Sequence, residues 1–222
     1  MNDLSFLNIK SDIFLFADDT TLSHYGSDTS SLFQEMMDDL EIVSRWLKHN
    51  RLILNLKKTN ALIIASKPVI LREGLGLSLD SFEIPFVDHV TLLGFTIDNK
   101  LKFDRHIRSQ TLKINSKVHL LKRCSYLFDL NFKTILFKLF IQSRFDYCST
   151  LFLYISNEKD KDILLKTFSK SLYKLLNIKL FDKKNIFYPI DKQLSILSTY
   201  KIVPLQLRQF QHMTNFYFPF LK

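Results

Sequence analysis

Cysteine, glycine and proline are all scarce in this chain of 222 residues, which holds 2 Cys, 4 Gly and 5 Pro. Two thiols, Cys124 and Cys148, are too few for a disulfide framework or a cysteine-rich zinc site, and a reducing compartment is the expected setting. With so little glycine, few turns can rest on it, so helices should dominate. Long apolar runs are missing as well. The most apolar stretch, Thr134 to Ile155, is broken by Lys138, Arg144 and Asp146, leaving no window of ~20 residues fit to cross a bilayer. Nothing at the N-terminus resembles a secretory leader. The expectation is a soluble intracellular protein, nuclear or cytoplasmic, with no membrane partner.

What is present is globular in character. Hydrophobic residues make up 46% and charged residues 24%, which excludes a disordered or collagen-like chain. The 21 Phe have AT-rich coding DNA as a sufficient cause and carry no functional weight here. The length allows one large domain or two small ones. Charge favours a division. Residues 1–90 hold 8 Lys or Arg against 13 Asp or Glu, a balance of −5, whereas residues 91–222 hold 23 against 9, a balance of +14. A basic half with interleaved aromatics is the footprint of a polyphosphate partner, because neutralised phosphates release counterions. A solvated lysine-rich surface is the plainer explanation.

Along the chain, Ser11 to Phe16 is a short apolar run, followed by Ala17-Asp18-Asp19 and the alternating Thr20 to Tyr25: a hairpin with carboxylates at its tip. Asp28 or Ser30 can cap a helix whose apolar residues Leu32, Phe33, Met36, Met37, Leu40, Val43 and Leu47 keep helical spacing and which ends near Asn50. A polar turn at Asn55 to Thr59 and a buried strand at Ala61 to Ala65 follow. Residues 67–88 suggest a small hairpin excursion, and Val90 to Asp98 a strand in which Gly94 marks a bulge or close backbone approach.

From Asp104 onward helical patterns prevail. Ile107, Thr111, Ile114, Val118 and Leu121 form one stripe, with Arg105, Arg108, Lys113, Lys117, Lys122 and Arg123 largely off it. Asn131 should cap an apolar helix through Phe132, Ile135, Leu136, Leu139 and Phe140. Asn157 should cap another, with Ile163, Leu164, Phe168, Leu172 and Leu175 inside and Lys159, Lys166, Lys170 and Lys174 outside. A last helix is expected from Pro204 into the aromatic tail Phe216 to Phe220. The fold class is therefore α+β, an acidic α/β part over 1–100 and a basic helical part over 101–222.

Adjacent carboxylates on a tight turn crowd like charges together, and a divalent cation relieves that crowding. Hard oxygen donors suit Mg²⁺ or Mn²⁺, and such a pair can serve in-line phosphoryl transfer in a two-metal site. A solvent-exposed Asp-Asp turn is the bland alternative. Lone histidines invite the same caution: His24 reads as a packed or exposed strand residue rather than a ligand, and His106 has no evident chemistry. Cys124 and Cys148 read most simply as small apolar core residues. The Phe216-Tyr217-Phe218 cluster reads as tail packing before base stacking.

The tetrad Phe16-Ala17-Asp18-Asp19, set between an apolar strand and Thr20-Thr21-Leu22, resembles the (F/Y)-A-D-D box of reverse transcriptases, particularly those of non-LTR (LINE-type) retrotransposons. Similar pieces stand around it in family order. Asn2-Asp3-Leu4 resembles the element that precedes the box. Trp46 with Leu52-Ile53-Leu54-Asn55 through Lys58-Thr59 resembles a W…L-x-L-N-x-x-K-T segment, and Leu92-Leu93-Gly94-Phe95 with Leu101 and His106-Ile107 an L-G…H-I segment. Phe137 to Tyr154, and Val203-Pro204-Leu205 with Arg208, are similar to regions downstream of the polymerase core.

The resemblance implies a partial polymerase palm followed by a helical thumb, with Leu92 to Phe95 as primer grip. It implies RNA-directed DNA polymerase chemistry, with RNA template, DNA primer and dNTP as partners and Mg²⁺ or Mn²⁺ as cofactor. Asp18 becomes the principal metal ligand and Asp19 its neighbour. Phe16 and Ala17 lie near primer or nucleotide, as do Leu93 and Gly94; Lys58 matches the lysine that assists the leaving pyrophosphate, though a surface lysine in a turn looks the same. The six basic residues of the 104–123 helix would grip nucleic acid.

The family's palm takes a further aspartate from an upstream strand, and only 15 residues precede Phe16. Asp3 belongs to another element, and Asp12 lies on the same strand about 20 Å from the tip at ~3.3 Å per residue. The expectation is a C-terminal portion of a polymerase with little or no activity alone. A non-catalytic nucleic-acid-binding remnant, and an unrelated α+β scaffold whose basic face binds an acidic protein, are the competing readings.

Overall fold

The computed structural model describes residues 3–67, 69, 76–80, 82–154, 157–182 and 187–209. The chain divides into two compact units, one made of residues 1–90 with 98–100, the other of 91–97 with 101–222. Among the described residues the structure is α+β, with helices and three separate two-stranded sheets.

In the first unit β1 (Asp12–Phe16) pairs antiparallel with β2 (Asp19–Ser23). Phe16 stands opposite Asp19, so Ala17 and Asp18 alone make the turn, and Ala17 takes a left-handed φ of 52° that such tight hairpins demand. Helix α1 (Thr29–His49) begins where the Asp28 carboxylate accepts the Ser31 N–H at 2.8 Å and ends at Asn50, as the sequence predicts. Its inner face buries Phe33 and Val43 and packs on β3 (Leu77–Leu79), which pairs with β4 (Phe82–Ile84) in the expected small excursion. The Phe33 ring lies 5.7 Å from that of Phe86.

The strand expected at Ala61 to Ala65 does not form; the segment makes one parallel bridge, Ala61 with Phe86. Ala61 donates to the Pro85 carbonyl and accepts from the Val87 N–H. Toward Thr59 the ladder stops because Pro85 has no N–H to offer; toward Ala65 no further described rung forms, and the chain opposite passes into β5 (His89–Leu92). Residues 90–98 are likewise not one strand. β5 turns back into β6 (Phe95–Asp98) through Leu93 and Gly94, whose φ values of 50° and 82° are both left-handed. Gly94 thus makes a hairpin turn rather than a bulge.

The second unit has the larger core. Helix α2 (Asp104–Arg123) buries Ile107, Ile114 and Val118 along the expected stripe and packs mainly on α5 (Glu158–Leu176). Asn157 caps α5 as expected, accepting the Lys159 N–H at 3.0 Å. Helix α3 (Leu130–Phe137) is capped by Asp129, not Asn131: the Asp129 carboxylate accepts the Phe132 N–H at 2.7 Å and places Asn131 inside the first turn. Its expected apolar face is also misassigned, since Phe132, Ile135, Leu139 and Phe140 are exposed. A π-helical turn (Lys138–Gln142) leads into α4 (Ser143–Asp146), and the residues that enter the core are Phe137, Ile141 and Phe145. Phe168 sits between Phe137 and Phe145, at 5.9 and 5.3 Å, edge to face with both.

Helix α6 (Ile190–Ser198) has no counterpart in the sequence reading. A further helical stretch follows Pro204 over 205–209, and the tail expected to continue it, Phe216 to Phe220 included, lies outside the described residues. Cys148 packs against the core, but Cys124, at the end of α2, is exposed and so is not a core residue.

Candidate functional site at the acidic hairpin

Phe16, Ala17, Asp18 and Asp19 come together on the tip of the β1–β2 ribbon, and all four are exposed, Phe16 at 63%. The ribbon is held at its root by α1. Asp39, only 2% exposed, accepts the Lys10 N–H at 3.0 Å, the Ser11 N–H at 2.7 Å and the Ser11 hydroxyl at 2.6 Å. One turn earlier Glu35 bridges the two ends of the ribbon, meeting Lys10 Nζ and His24 Nε2 at 2.7 Å each. Hydrogen bonds from Lys10 and then His24 hold the Glu35 carboxyl below its ordinary range, and Glu35 raises the Lys10 ammonium in turn. The tip is thereby presented to solvent from a fixed base.

Neither Asp39 nor Glu35 was singled out from the sequence. A signal existed for Asp39: it falls three residues after Met36 and four before Val43, inside the apolar stripe, where a carboxylate has to find donors. His24, just past β2, is a packed residue paired with an acid, consistent with its plainer reading.

Lys58 is exposed on a separate 3₁₀ turn, Leu56–Lys58, whose end is fixed by the Thr59 hydroxyl on the Asn55 carbonyl at 3.1 Å. No described hydrogen bond or ion pair joins it to the tip. Asp12, at the far end of β1 opposite Ser23, does not reach the tip either. Among the described residues no cluster of three or more His, Cys, Asp or Glu could hold a metal ion. Asp18 and Asp19 therefore offer two hard oxygen donors that fit Mg²⁺ or Mn²⁺ in chemistry and fall short in number.

The second unit carries the other expected positions. Leu93 and Gly94 form the exposed β5–β6 turn, and the Tyr147 hydroxyl donates to the Leu93 carbonyl. Behind the turn, Phe95 enters the core and stacks on His106 at 3.9 Å, while His106 Nδ1 accepts the Thr96 N–H at 3.2 Å. His106 is 2% exposed. Burial first, and the Lys113 charge second, lower its pKa to about 4, so the ring is neutral and acts as an acceptor that fixes the hairpin. The six basic residues of α2, Arg105, Arg108, Lys113, Lys117, Lys122 and Arg123, are all exposed.

No family model, no curated protein and no solved structure matches this chain. Its chemistry has to be argued from these positions. Among the described residues no helix is long and apolar enough to cross a membrane.

Proposed function

We propose that the chain is a reverse-transcriptase portion of the non-LTR type, whose ribbon carries two carboxylates of a nucleotidyl-transfer centre. The observation that supports this most is the placement of Phe16-Ala17-Asp18-Asp19: a two-residue turn, solvent-open, on a ribbon clamped at its root by Asp39 and Glu35. A divalent cation held there would activate a primer 3′-hydroxyl against the α-phosphate of a dNTP and steady the departing pyrophosphate. Asp18 and Asp19 supply oxygen donors, Phe16 offers an apolar surface beside the primer end, and Lys58 carries the charge that would meet pyrophosphate. Two carboxylates make an incomplete site, so a further acidic residue from a strand outside the described set is required, and the chain alone should incorporate little or no nucleotide.

Substoichiometric Mn²⁺ tests the proposal through paramagnetic broadening of backbone amide resonances. Broadening should centre on residues 16–20 and vanish in Asp18→Asn. Broadening centred instead on the Asp38 and Glu41 side of α1, or none at all, would remove the metal centre from the reading.

A second reading, a non-catalytic nucleic-acid-binding protein, draws on the exposed basic row of α2. It requires binding whose affinity falls steeply with salt. Each phosphate contact contributes about 0.9 to the slope of log affinity against log salt on duplex DNA.

A further inference from the structure

Helix α3 and the π-helical turn that continues it carry two apolar faces. One holds Phe137 and Ile141 and is buried in the core. The other holds Phe132, Ile135, Leu136, Leu139 and Phe140, spaced i, i+3, i+4, i+7 and i+8, the pattern with which a helix packs on a neighbour. Phe132, Ile135, Leu139 and Phe140 are nonetheless between 44% and 61% exposed. At ~100° per residue Lys133 and Lys138 stand on either side of this face, and no described ion pair engages them. From Arg105 to Arg144 the chain holds nine Lys or Arg and a single acid, Asp129, whose carboxylate caps α3. We propose that the outward face of α3 is a docking site for an acidic amphipathic helix of a protein partner. The site belongs to the second unit alone and stands whether or not the ribbon tip holds a metal.

Shape and charge together select that occupant. Phe132, Leu136 and Phe140 form one row four residues apart, and Ile135 and Leu139 a second beside it, so a partner helix can set its own ridge into the groove between them. Next to Leu136 lies a small notch lined by Leu121, Ser125, Phe128, Lys133, Leu136 and Leu175. It can seat one apolar anchor of the partner, with Lys133 in its wall to meet a carboxylate a turn away. An anionic membrane would answer to area and charge and leave the rows and the notch unused. Stacked bases need rings, and three of the five outward residues are aliphatic. A second copy of this chain would set one basic flank against another.

Fluorescence anisotropy with the 222-residue chain tests the site against a labelled peptide of about three heptads, with Leu at the seam positions, Glu flanking them and Ala elsewhere. This peptide should bind, and one of the same composition in scrambled order, or one with Lys in place of Glu, should bind at least ~tenfold more weakly. Ile135→Glu should weaken the acidic helix at least ~tenfold, whereas Ile53→Glu, at a side chain 99% exposed in the other unit, should leave it unchanged. Lys133→Glu combined with Lys138→Glu keeps the apolar rows and should reverse the preference toward the Lys-bearing peptide. No binding, equal binding of ordered and scrambled peptides, or an acidic helix indifferent to Ile135→Glu and to the lysine pair would overturn the proposal. So would an Ile135-dependent interaction found only with phosphatidylserine vesicles, only with single-stranded RNA, or only between copies of the chain in light scattering.

Discussion

The two units solve stability in opposite ways. The basic unit buries a continuous aromatic and aliphatic core from Phe95 through Leu205, with Phe168 ringed by Phe137 and Phe145. The acidic unit buries few large side chains, Phe33, Val43, Leu79 and Ile84 among them, and secures its ribbon with hydrogen bonds to Asp39 and an ion-paired Glu35. Packing tolerates changes of pH and salt better than charge does. The difference teaches that the part bearing the candidate chemistry is held by a few polar contacts, and the part bearing the basic surface by apolar area.

The sharpest way to widen this contrast is to cut into the larger core. Phe168→Ala should destabilise the basic unit by about 3–5 kcal/mol, seen as an early transition in urea, while ribbon amides keep their exchange protection. A shift confined to the acidic unit would contradict the division.

Acid comes next. The unfolded value of His106 is 6.5 and its folded value about 4. Between these the unfolded chain binds a proton that the folded chain does not, so stability is full above about 6.5 and drains away as pH falls toward 4. The slope is about 1.4 kcal/mol per pH unit and the whole loss roughly 3 kcal/mol. Urea melts of the basic unit at stepped pH should show that slope, and His106→Phe should flatten it. An unchanged slope would mean that another group carries the acid response.

The smallest effect belongs to the acidic unit. Asp39→Ala strips acceptors from two backbone N–H groups and a hydroxyl, at a cost of about 1–3 kcal/mol. Hydrogen exchange should speed up across Asp12–Ser23 and leave α2 and α5 unchanged. Protection retained in the ribbon would show that Glu35 alone suffices as its anchor.

Much of this arrangement is legible in the chain itself, and the exceptions share causes. The hairpin, the Asp28 and Asn157 caps and the α2 stripe follow from local rules: a two-residue acidic turn, a side chain that accepts an early helical N–H, a period near 3.6. Where neighbours decide, local rules fail. Ala61 to Ala65 is apolar enough for a strand, but a strand needs a neighbour, and beyond the single bridge to Phe86 no described segment pairs with it. The helix after Asp129 is apolar on every side, so composition leaves its inner face undetermined until packing chooses Phe137, Ile141 and Phe145. Leu93 hides the second hairpin, because a bulky residue seldom adopts left-handed backbone. At the site, the carboxylates are visible as a motif and their anchor is not, since Asp39 reads as one more acid on an acidic helix.

The π-helical turn after Phe137 has a geometric consequence of its own. In a regular α-helix each residue advances about 100°, so two steps of four overshoot one revolution each and drift by about 80°. Phe137, Ile141 and Phe145 are spaced by those two steps, and all three are fully enclosed. The wider turn between them absorbs an added residue and cancels the drift, as a vernier brings two mismatched scales back into coincidence. A strictly regular rod through the same stretch would aim Phe145 past Phe168 and leave the gap between them unfilled.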